Sequence, residues 1–122
     1  TDAERIHEYH KSGTFSEIDA TGNKQTRIVG DNYEIIAGSD FVNVKGDVKL
    51  TIDANCNTYI KGNWNIQVDG TKTEVVTGAV SETYKSTKTE NVTGAVQETF
   101  SSTQTTNVSS NVVITGSRID LN

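Results

Sequence analysis

The two histidines of the sequence, His7 and His10, stand three residues apart with Glu8 between them. Imidazole nitrogens and carboxylates are common zinc ligands, so this spacing is a candidate for metal binding. On a β-strand, however, residues three apart lie on opposite faces. The flanking sequence has the pattern of a strand, so the spacing is poorly suited to chelation. We expect a solvated or interchain-packed hairpin here, and no metal site.

The other residues that could react, bind a ligand or be modified also favour structural roles. Cys56 is the single cysteine, which excludes an intrachain disulfide and a zinc site made of cysteines. We expect Cys56 to pack as a small apolar residue and Trp64 to fill a core or lie on the surface. Asn91 and Asn107 begin glycosylation sequons, which Thr-rich repeats generate readily. No catalytic set is visible, so the sequence predicts no catalytic residue, no cofactor and no enzyme activity.

The composition is polar but favours β-strands. Only 33% of the 122 residues are hydrophobic, and threonine, serine and asparagine together fill 39 positions. Such a chain is ordinarily too poor in apolar surface to fold. Proline is absent, however, and Thr, Val and Ile favour an extended backbone. The formal net charge of −5 disfavours nucleic acid as a partner, because phosphates require a basic face.

Glycines repeat with a period of eight residues, and eight of the ten glycines share one phase. Small residues fill the missing places of the series, at Ala54, Ser86, Ser102 and Ser110. Each octad therefore has the pattern of a corner followed by a strand of about five residues. The predicted corners are Gly22, Gly30, Gly38, Gly46, Gly62, Gly70, Gly78 and Gly94.

The seventh position of each octad, counted from the glycine, carries a large apolar residue in eleven successive octads. Because eight is even, an octad position keeps its face if each corner preserves the phase. Position seven then points inward with positions five and three. One octad buries only two or three such residues, so octads must stack. The predicted core residues are Ile28, Ile36, Val44, Ile52, Ile60, Val68, Val76, Tyr84, Val92, Phe100 and Val108.

Two architectures would stack such octads. In the first, three chains wind around one axis as a triangular prism, and the ladder partners of each strand belong to the other two chains. In the second, one chain folds as a β-solenoid with a sixteen-residue coil. Residues 78–93 and 94–109, which match at ten of sixteen positions, give weak support to the solenoid. Since a single-chain solenoid usually needs a longer coil, we predict an all-β, intertwined homotrimeric triple-stranded β-helix.

The ends of the chain depart from the octad pattern. Residues 4–19 have the pattern of a β-hairpin, with its turn at Lys11, Ser12 and Gly13. We therefore predict a neck over residues 1–21, a shaft over residues 22–117 and a blunt tip over residues 118–122.

The distal octads raise a question about charge, because position five becomes Glu74, Glu82, Glu90 and Glu98, next to lysines at position three. Buried unpaired charge is costly. We therefore expect either a hydrated interior with cross-chain Lys–Glu contacts, which we favour, or a change of phase at a corner.

The glycine-led octads of VKGDVKLTIDANCNTYIKGNWNIQVDG resemble the triple-stranded β-helix of central spike proteins from contractile phage tails, and the similar type VI secretion spikes. The opening HKSGTFSEIDATGN resembles the neck that joins the OB-fold domain of such spikes to the needle, and GSRIDLN resembles the blunt needle tip. No lysozyme domain, which some spikes carry, corresponds to any part of the sequence. The histidine motif that binds iron at the apex of some short spikes is absent.

The resemblance implies a homotrimer that is joined at its N-terminal side to the baseplate hub or spike body. It also implies that a PAAR-type tip protein binds the C-terminal end, in contact with Arg118, Ile119, Leu121 and Asn122. The expected function is mechanical piercing of the bacterial outer membrane, by a needle located at the baseplate tip of a virion or in a secreted type VI-like spike. The alternative is a trimeric fibre or adhesin stalk that binds a cell-surface glycan. A chain that ends at SRIDLN without a receptor-binding head favours the spike.

Overall fold

The structure, a computed structural model, describes residues 4–122, and within them the backbone forms strands and bends but no helix. The strands are β1 (Ile6–Tyr9), β2 (Phe15–Ile18) and β3 (Lys24–Arg27). The all-β class is therefore confirmed for the described residues. The chain divides into two units, Thr1–Trp64 and Asn65–Asn122, and all three strands belong to the first.

The three strands form one antiparallel sheet in the order β1-β2-β3. Strands β1 and β2 form a hairpin within residues 4–19, as the sequence predicts, with Tyr9 opposite Phe15. Its turn contains Gly13, whose φ of 98° lies in the left-handed region that glycine adopts easily. The Gly13 N–H donates to the carbonyl of His10 (2.9 Å), and the His10 N–H donates to the carbonyl of Thr14 (2.9 Å). The local turn therefore sets the register of the hairpin.

Strand β3 joins the hairpin through a second tight turn, which the octad pattern does not predict. Phe15 of β2 lies opposite Arg27 of β3. The turn contains Gly22 at a φ of 89°, and the Asp19 N–H donates to the carbonyl of Asn23 (3.0 Å). The strand of the first octad therefore pairs with the hairpin, and the boundary predicted between residues 21 and 22 falls inside this turn.

The rest of the first unit consists of extended segments separated by bends. The bends lie at residue pairs 29–30, 37–38, 45–46, 53–54 and 61–62, so they recur every eight residues. The second residue of each pair is an octad glycine or, at position 54, an alanine. Residues 30–64 make no backbone hydrogen bond to one another or to the sheet. Their N–H and C=O groups are therefore free to pair outside the chain.

The second unit repeats this pattern with the same spacing. Bends lie at residue pairs 69–70, 77–78, 85–86, 93–94, 101–102 and 109–110. The eight-residue interval continues unchanged through the octads that carry glutamate at position five. No backbone hydrogen bond is formed within residues 65–122 either.

No residue of the described part of the chain is buried. The protomer exposes 13586 Å² of surface, whereas a folded monomer of 13.2 kDa exposes roughly 6,400 Å². The excess is therefore about 7,000 Å². The described part of the chain, with no buried residue and few internal hydrogen bonds, has no hydrophobic core of its own to stabilise it.

Candidate functional site

Apart from Val29, which lies at position eight and is 53% exposed beside the β1–β2 turn, the position-seven side chains are the least exposed large apolar residues of the octads. Their exposed fraction runs from 38% at Ile28 to 57% at Val92. Large apolar residues at positions three and five are 62–79% exposed, and those at positions four and six are 81–94% exposed. Exposure therefore separates the odd-numbered positions from the even-numbered ones, as the alternation of a strand requires. The odd-numbered side is the candidate surface for association.

Lys88 connects two octads across the bend at residues 85–86. Its Nζ lies 2.9 Å from Oε1 of Glu90 in its own octad, and 5.0 Å from the ring centroid of Tyr84 in the preceding octad. Lys88, Glu90 and Tyr84 occupy positions three, five and seven. The odd-numbered positions therefore stay on one side through this bend, and the phase does not change there. The hydrogen bond to Glu90, together with the carboxylate charge, raises the pKa of Lys88.

A similar ion pair occurs sixteen residues earlier. Nζ of Lys72 lies 3.5 Å from Oε2 of Glu74, again joining position three to position five. Both pairs form within one chain, because residues two apart on an extended segment share a face. In the octads that begin at residues 70 and 86, the lysine thus neutralises the glutamate charge on the odd-numbered side. Glu82 and Glu98 have valine at position three of their octads, where these other octads have lysine.

Asp19 fixes the turn between β2 and β3. Its Oδ1 accepts hydrogen bonds from the N–H of Thr21 (2.9 Å), the hydroxyl of Thr21 (2.8 Å) and the N–H of Asn23 (3.0 Å). Its Oδ2 accepts a further hydrogen bond from Nδ2 of Asn23 (3.2 Å). These donors, the Thr21 hydroxyl first, favour the charged carboxylate and lower the pKa of Asp19 to about 2. One side chain therefore organises the entire turn.

A second contact holds the first bend against the hairpin. The N–H of Val29 donates to Oγ1 of Thr14 (3.1 Å), fifteen residues away. A Cβ added to Gly13 would lie 3.3 Å from Cγ2 of Val29, so the two segments approach closely. The bend at residues 29–30 is thus attached to the β1–β2 turn, and the first shaft segment leaves the sheet at a defined place.

One face of the sheet carries an aromatic cluster. Tyr9 packs edge-on against His7, with ring centroids 4.9 Å apart, and stacks on Phe15 at 5.3 Å. The Tyr9 hydroxyl donates to Oε2 of Glu17 (3.0 Å), and this hydrogen bond raises the pKa of Tyr9. Glu17 also pairs with Nε of Arg5 at 3.1 Å. The Tyr9 hydroxyl, the Glu17 carboxylate and the Arg5 guanidinium all have polar partners within the sheet region, so these contacts stabilise the hairpin.

The residues considered for metal or ligand binding lie apart. His7 belongs to β1, whereas His10 follows the strand and its Nδ1 lies 2.9 Å from Oγ of Ser12. Cys56 is exposed, with Sγ 3.9 Å from Oγ1 of Thr58. Trp64 is exposed as well. Between residues 4 and 122, no group of three or more His, Cys, Asp or Glu side chains is placed to hold a metal ion.

The residues predicted to contact a tip protein form an extended C-terminal segment. Nε of Arg118 lies 2.9 Å from Oδ1 of Asp120, and both side chains are exposed. Ile119 and Leu121 alternate with them and are exposed too. The segment therefore presents one charged pair and two apolar side chains to its surroundings. No helix of the described residues could cross a membrane.

Two structural features have signals in the sequence that the octad pattern alone does not reveal. The segment Asp19-Ala20-Thr21-Gly22-Asn23 combines an aspartate with a glycine three residues later, which is a turn signature. Lys88 stands four residues after Tyr84, across a corner, which brings the ammonium group near the ring. The first signal could have predicted β3, since a tight turn after β2 requires an antiparallel partner strand.

No family model matches the chain. Protein Gp5 of Vibrio phage KVP40 is 40% identical to it over 57 residues, which is 47% of this chain and 14% of Gp5. The chain thus spans a small part of the length of that relative. Over nearly half of its own length, the chain is similar to a phage protein.

Proposed function

We propose that the chain is a structural part of a phage tail baseplate, and that it forms the needle of the central spike that pierces the bacterial outer membrane. Three copies would wind into a triple-stranded β-helix through the position-seven residues and the unpaired backbone groups. The needle would act mechanically and would not catalyse a reaction. It would be joined to the baseplate hub or spike body near the three-stranded sheet, and a PAAR-type protein would cover the C-terminal segment.

One observation carries the proposal: beyond residue 29, the backbone bends every eight residues and makes no hydrogen bond within its own chain. Extended backbone with unpaired donors and acceptors is stable when another strand lies beside it. The uncovered surface of about 7,000 Å² exceeds what most obligate interfaces bury, so extensive association is needed. The similarity to Gp5 supports a phage origin. A regular ladder shared by several chains distributes load over many hydrogen bonds, which suits a needle.

The oligomeric state tests the assembly. Light scattering on the purified chain should give about 40 kDa, three times the 13.2 kDa of the protomer. Val44→Asp combined with Ile52→Asp should abolish the trimer, because each position-seven side chain loses about 1.5–3 kcal/mol of burial. The matched control combines Asn43→Asp with Thr51→Asp, one residue earlier on the even-numbered side, and should remain trimeric. A wild-type monomer would rule the trimer out.

The same variants, placed in the phage that carries this chain, test the piercing function. If the chain is a needle, particles with Val44→Asp and Ile52→Asp should adsorb to cells normally but fail to deliver DNA. Particles with the control pair should adsorb and deliver DNA like the wild type. Loss of adsorption in the core variant would instead favour a fibre or adhesin stalk that binds a surface glycan.

A further inference from the structure

Asp69 is the one aspartate of the sequence, out of eight, that is followed by glycine. The pair Asp69–Gly70 occupies the bend at residues 69–70 of the second unit, and both residues are exposed. Asp–Gly pairs favour such bends because glycine adds no side chain to the turn. The carboxyl group of an aspartate and the N–H of the next residue can close a five-membered ring. The bend is therefore a candidate for a reaction of the backbone itself.

The nucleophile of this reaction is the backbone nitrogen of Gly70. The N–H of Gly70 makes no backbone hydrogen bond within the chain. A Cβ added to Gly70 would meet nothing within 4 Å, so the backbone lies in open space. A nitrogen that is neither held in a ladder nor shielded by a side chain can turn towards the carboxyl group beside it.

Gln67 contacts the carboxyl group that this nitrogen would attack. Its Nε2 donates to Oδ1 of Asp69 at 2.8 Å. When the nitrogen adds to Cγ, negative charge develops on one carboxyl oxygen, and a hydrogen-bond donor at that oxygen stabilises the charge. The other oxygen, Oδ2, is then the one that leaves. Gln67 is therefore a positioning residue for the reaction.

We propose that Asp69 converts to isoaspartate in the folded chain through a cyclic imide with Gly70. The Gly70 nitrogen forms a bond to Cγ of the neutral carboxylic acid, and the bond between Cγ and Oδ2 breaks. Oδ2 leaves as water, with the carboxyl proton and the proton of the Gly70 N–H. A second water molecule then opens one of the two imide carbonyls, which gives back aspartate or yields isoaspartate. The reaction requires no reactant besides water.

Isoaspartate changes the spacing of the octads at this bend. The main chain then runs through Cβ and Cγ of residue 69, so one atom is added between Val68 and Val76, the position-seven residues on either side. A modified chain thus carries a local break in the phase of its odd-numbered side. The inference requires only the bend and its contacts, so it does not depend on the trimer or on the piercing function.

Peptide mapping of the purified chain tests the inference. The chain is kept warm in mildly acidic buffer, where part of the carboxyl groups is neutral, and its intact mass should show a form lighter by one water, the imide. Trypsin then yields peptide 62–72, with Asp69–Gly70, and peptide 50–61, with Asp53–Ala54 at an equivalent bend as a natural control. Peptide 62–72 should contain an isomer of unchanged mass that accepts a methyl group from an isoaspartate methyltransferase. Peptide 50–61 should remain unmodified.

Gly70→Ala is the matched variant. Alanine occupies the same octad position at residue 54, and the chain leaves room for a Cβ at residue 70. The added methyl group should slow isoaspartate formation at Asp69 to the level seen at Asp53. Equal isoaspartate in the two wild-type peptides would overturn the inference, whether or not the variant folds. An unchanged rate in a folded Gly70→Ala chain, or modification of peptide 62–72 only after denaturation, would overturn it as well.

Discussion

Asp19 shows how much structure one exposed carboxylate can organise. It accepts hydrogen bonds from both backbone N–H groups and both side chains of Thr21 and Asn23. Aspartate favours such turns because its short side chain reaches the N–H groups that follow it in the sequence. This turn places β3 against β2, so the position of the first octad strand depends on Asp19.

The lowered pKa of Asp19 predicts loss of stability in acid. The pKa is about 2 in the folded chain, against a usual value of 3.8. A lowered pKa means that the charged form stabilises the fold above pH 3.8, and that this contribution disappears as the pH falls to about 2. Thermal unfolding of the sheet, followed at several pH values, should show a decline over this window.

Substitution isolates the role of Asp19 from general acid effects. Asp19→Asn keeps one oxygen acceptor but removes the charge, so it should flatten the decline between pH 4 and pH 2. Asp53→Asn removes the same charge from a shaft bend and should leave the decline unchanged. An identical pH profile in wild type and Asp19→Asn would contradict the assignment.

At the scale of elements, the glycines fall into two classes that look alike in the sequence. Gly13 and Gly22 have positive φ and close the two tight turns of the sheet. The glycines at the later bends do not have positive φ, and a Cβ added at Gly30 or Gly46 meets nothing within 4 Å. The later octad corners therefore need no left-handed conformation, and the chain itself leaves room there for a Cβ. Alanine and serine at equivalent positions agree with this.

Two alanine substitutions should consequently differ in effect. Gly22→Ala forces a side chain into the left-handed region and should destabilise the chain by roughly 1–2 kcal/mol. Gly46→Ala should be neutral or should stabilise by about 0.4–1 kcal/mol, because alanine restricts the unfolded chain. Denaturant unfolding of both variants measures the difference. Equal destabilisation would show that the bends need glycine after all.

The sequence predicted the bends and the first hairpin from local signals. Glycine spacing located each bend, and the Ser12-Gly13 turn located the hairpin between β1 and β2. It did not predict that β3 pairs with β2, because the eight-residue pattern assigned residues 24–27 to the shaft. The low exposure of the position-seven side chains follows from the alternation of faces along a strand, which the apolar pattern of the sequence predicts. The contact between Lys88 and Tyr84 depends on the path of the backbone through a bend, and periodicity alone does not describe that path.

At the scale of the whole molecule, the backbone pairing that the structure describes is confined to residues 4–29. Within residues 4–29, strands, turns and side-chain hydrogen bonds support one another. From residue 30 onward, the described backbone finds no partner in its own chain. The sheet should therefore persist in a single chain, whereas the octads should become ordered only on association.

Hydrogen exchange on the variant with both Val44→Asp and Ile52→Asp tests this division. The amides that join β1, β2 and β3 should remain protected, because their partners lie in the same chain. Amides from residue 30 to the end should exchange as fast as those of an unfolded peptide. If the wild-type chain forms the proposed trimer, many of these amides should be protected in it. Strong protection of the octads in a monomer would instead indicate a single-chain solenoid.

The absence of internal backbone–backbone hydrogen bonds beyond residue 29 has a consequence for how stability is measured. If the octads order only when three chains meet, as proposed, folding of the shaft is third order in chain concentration and has no fixed midpoint. Its melting temperature then rises with protein concentration, as mass action requires for an obligate oligomer. Dilution should loosen the shaft while the sheet near the N-terminus stays intact. The transition of the sheet, whose hydrogen bonds lie within one chain, should not depend on protein concentration.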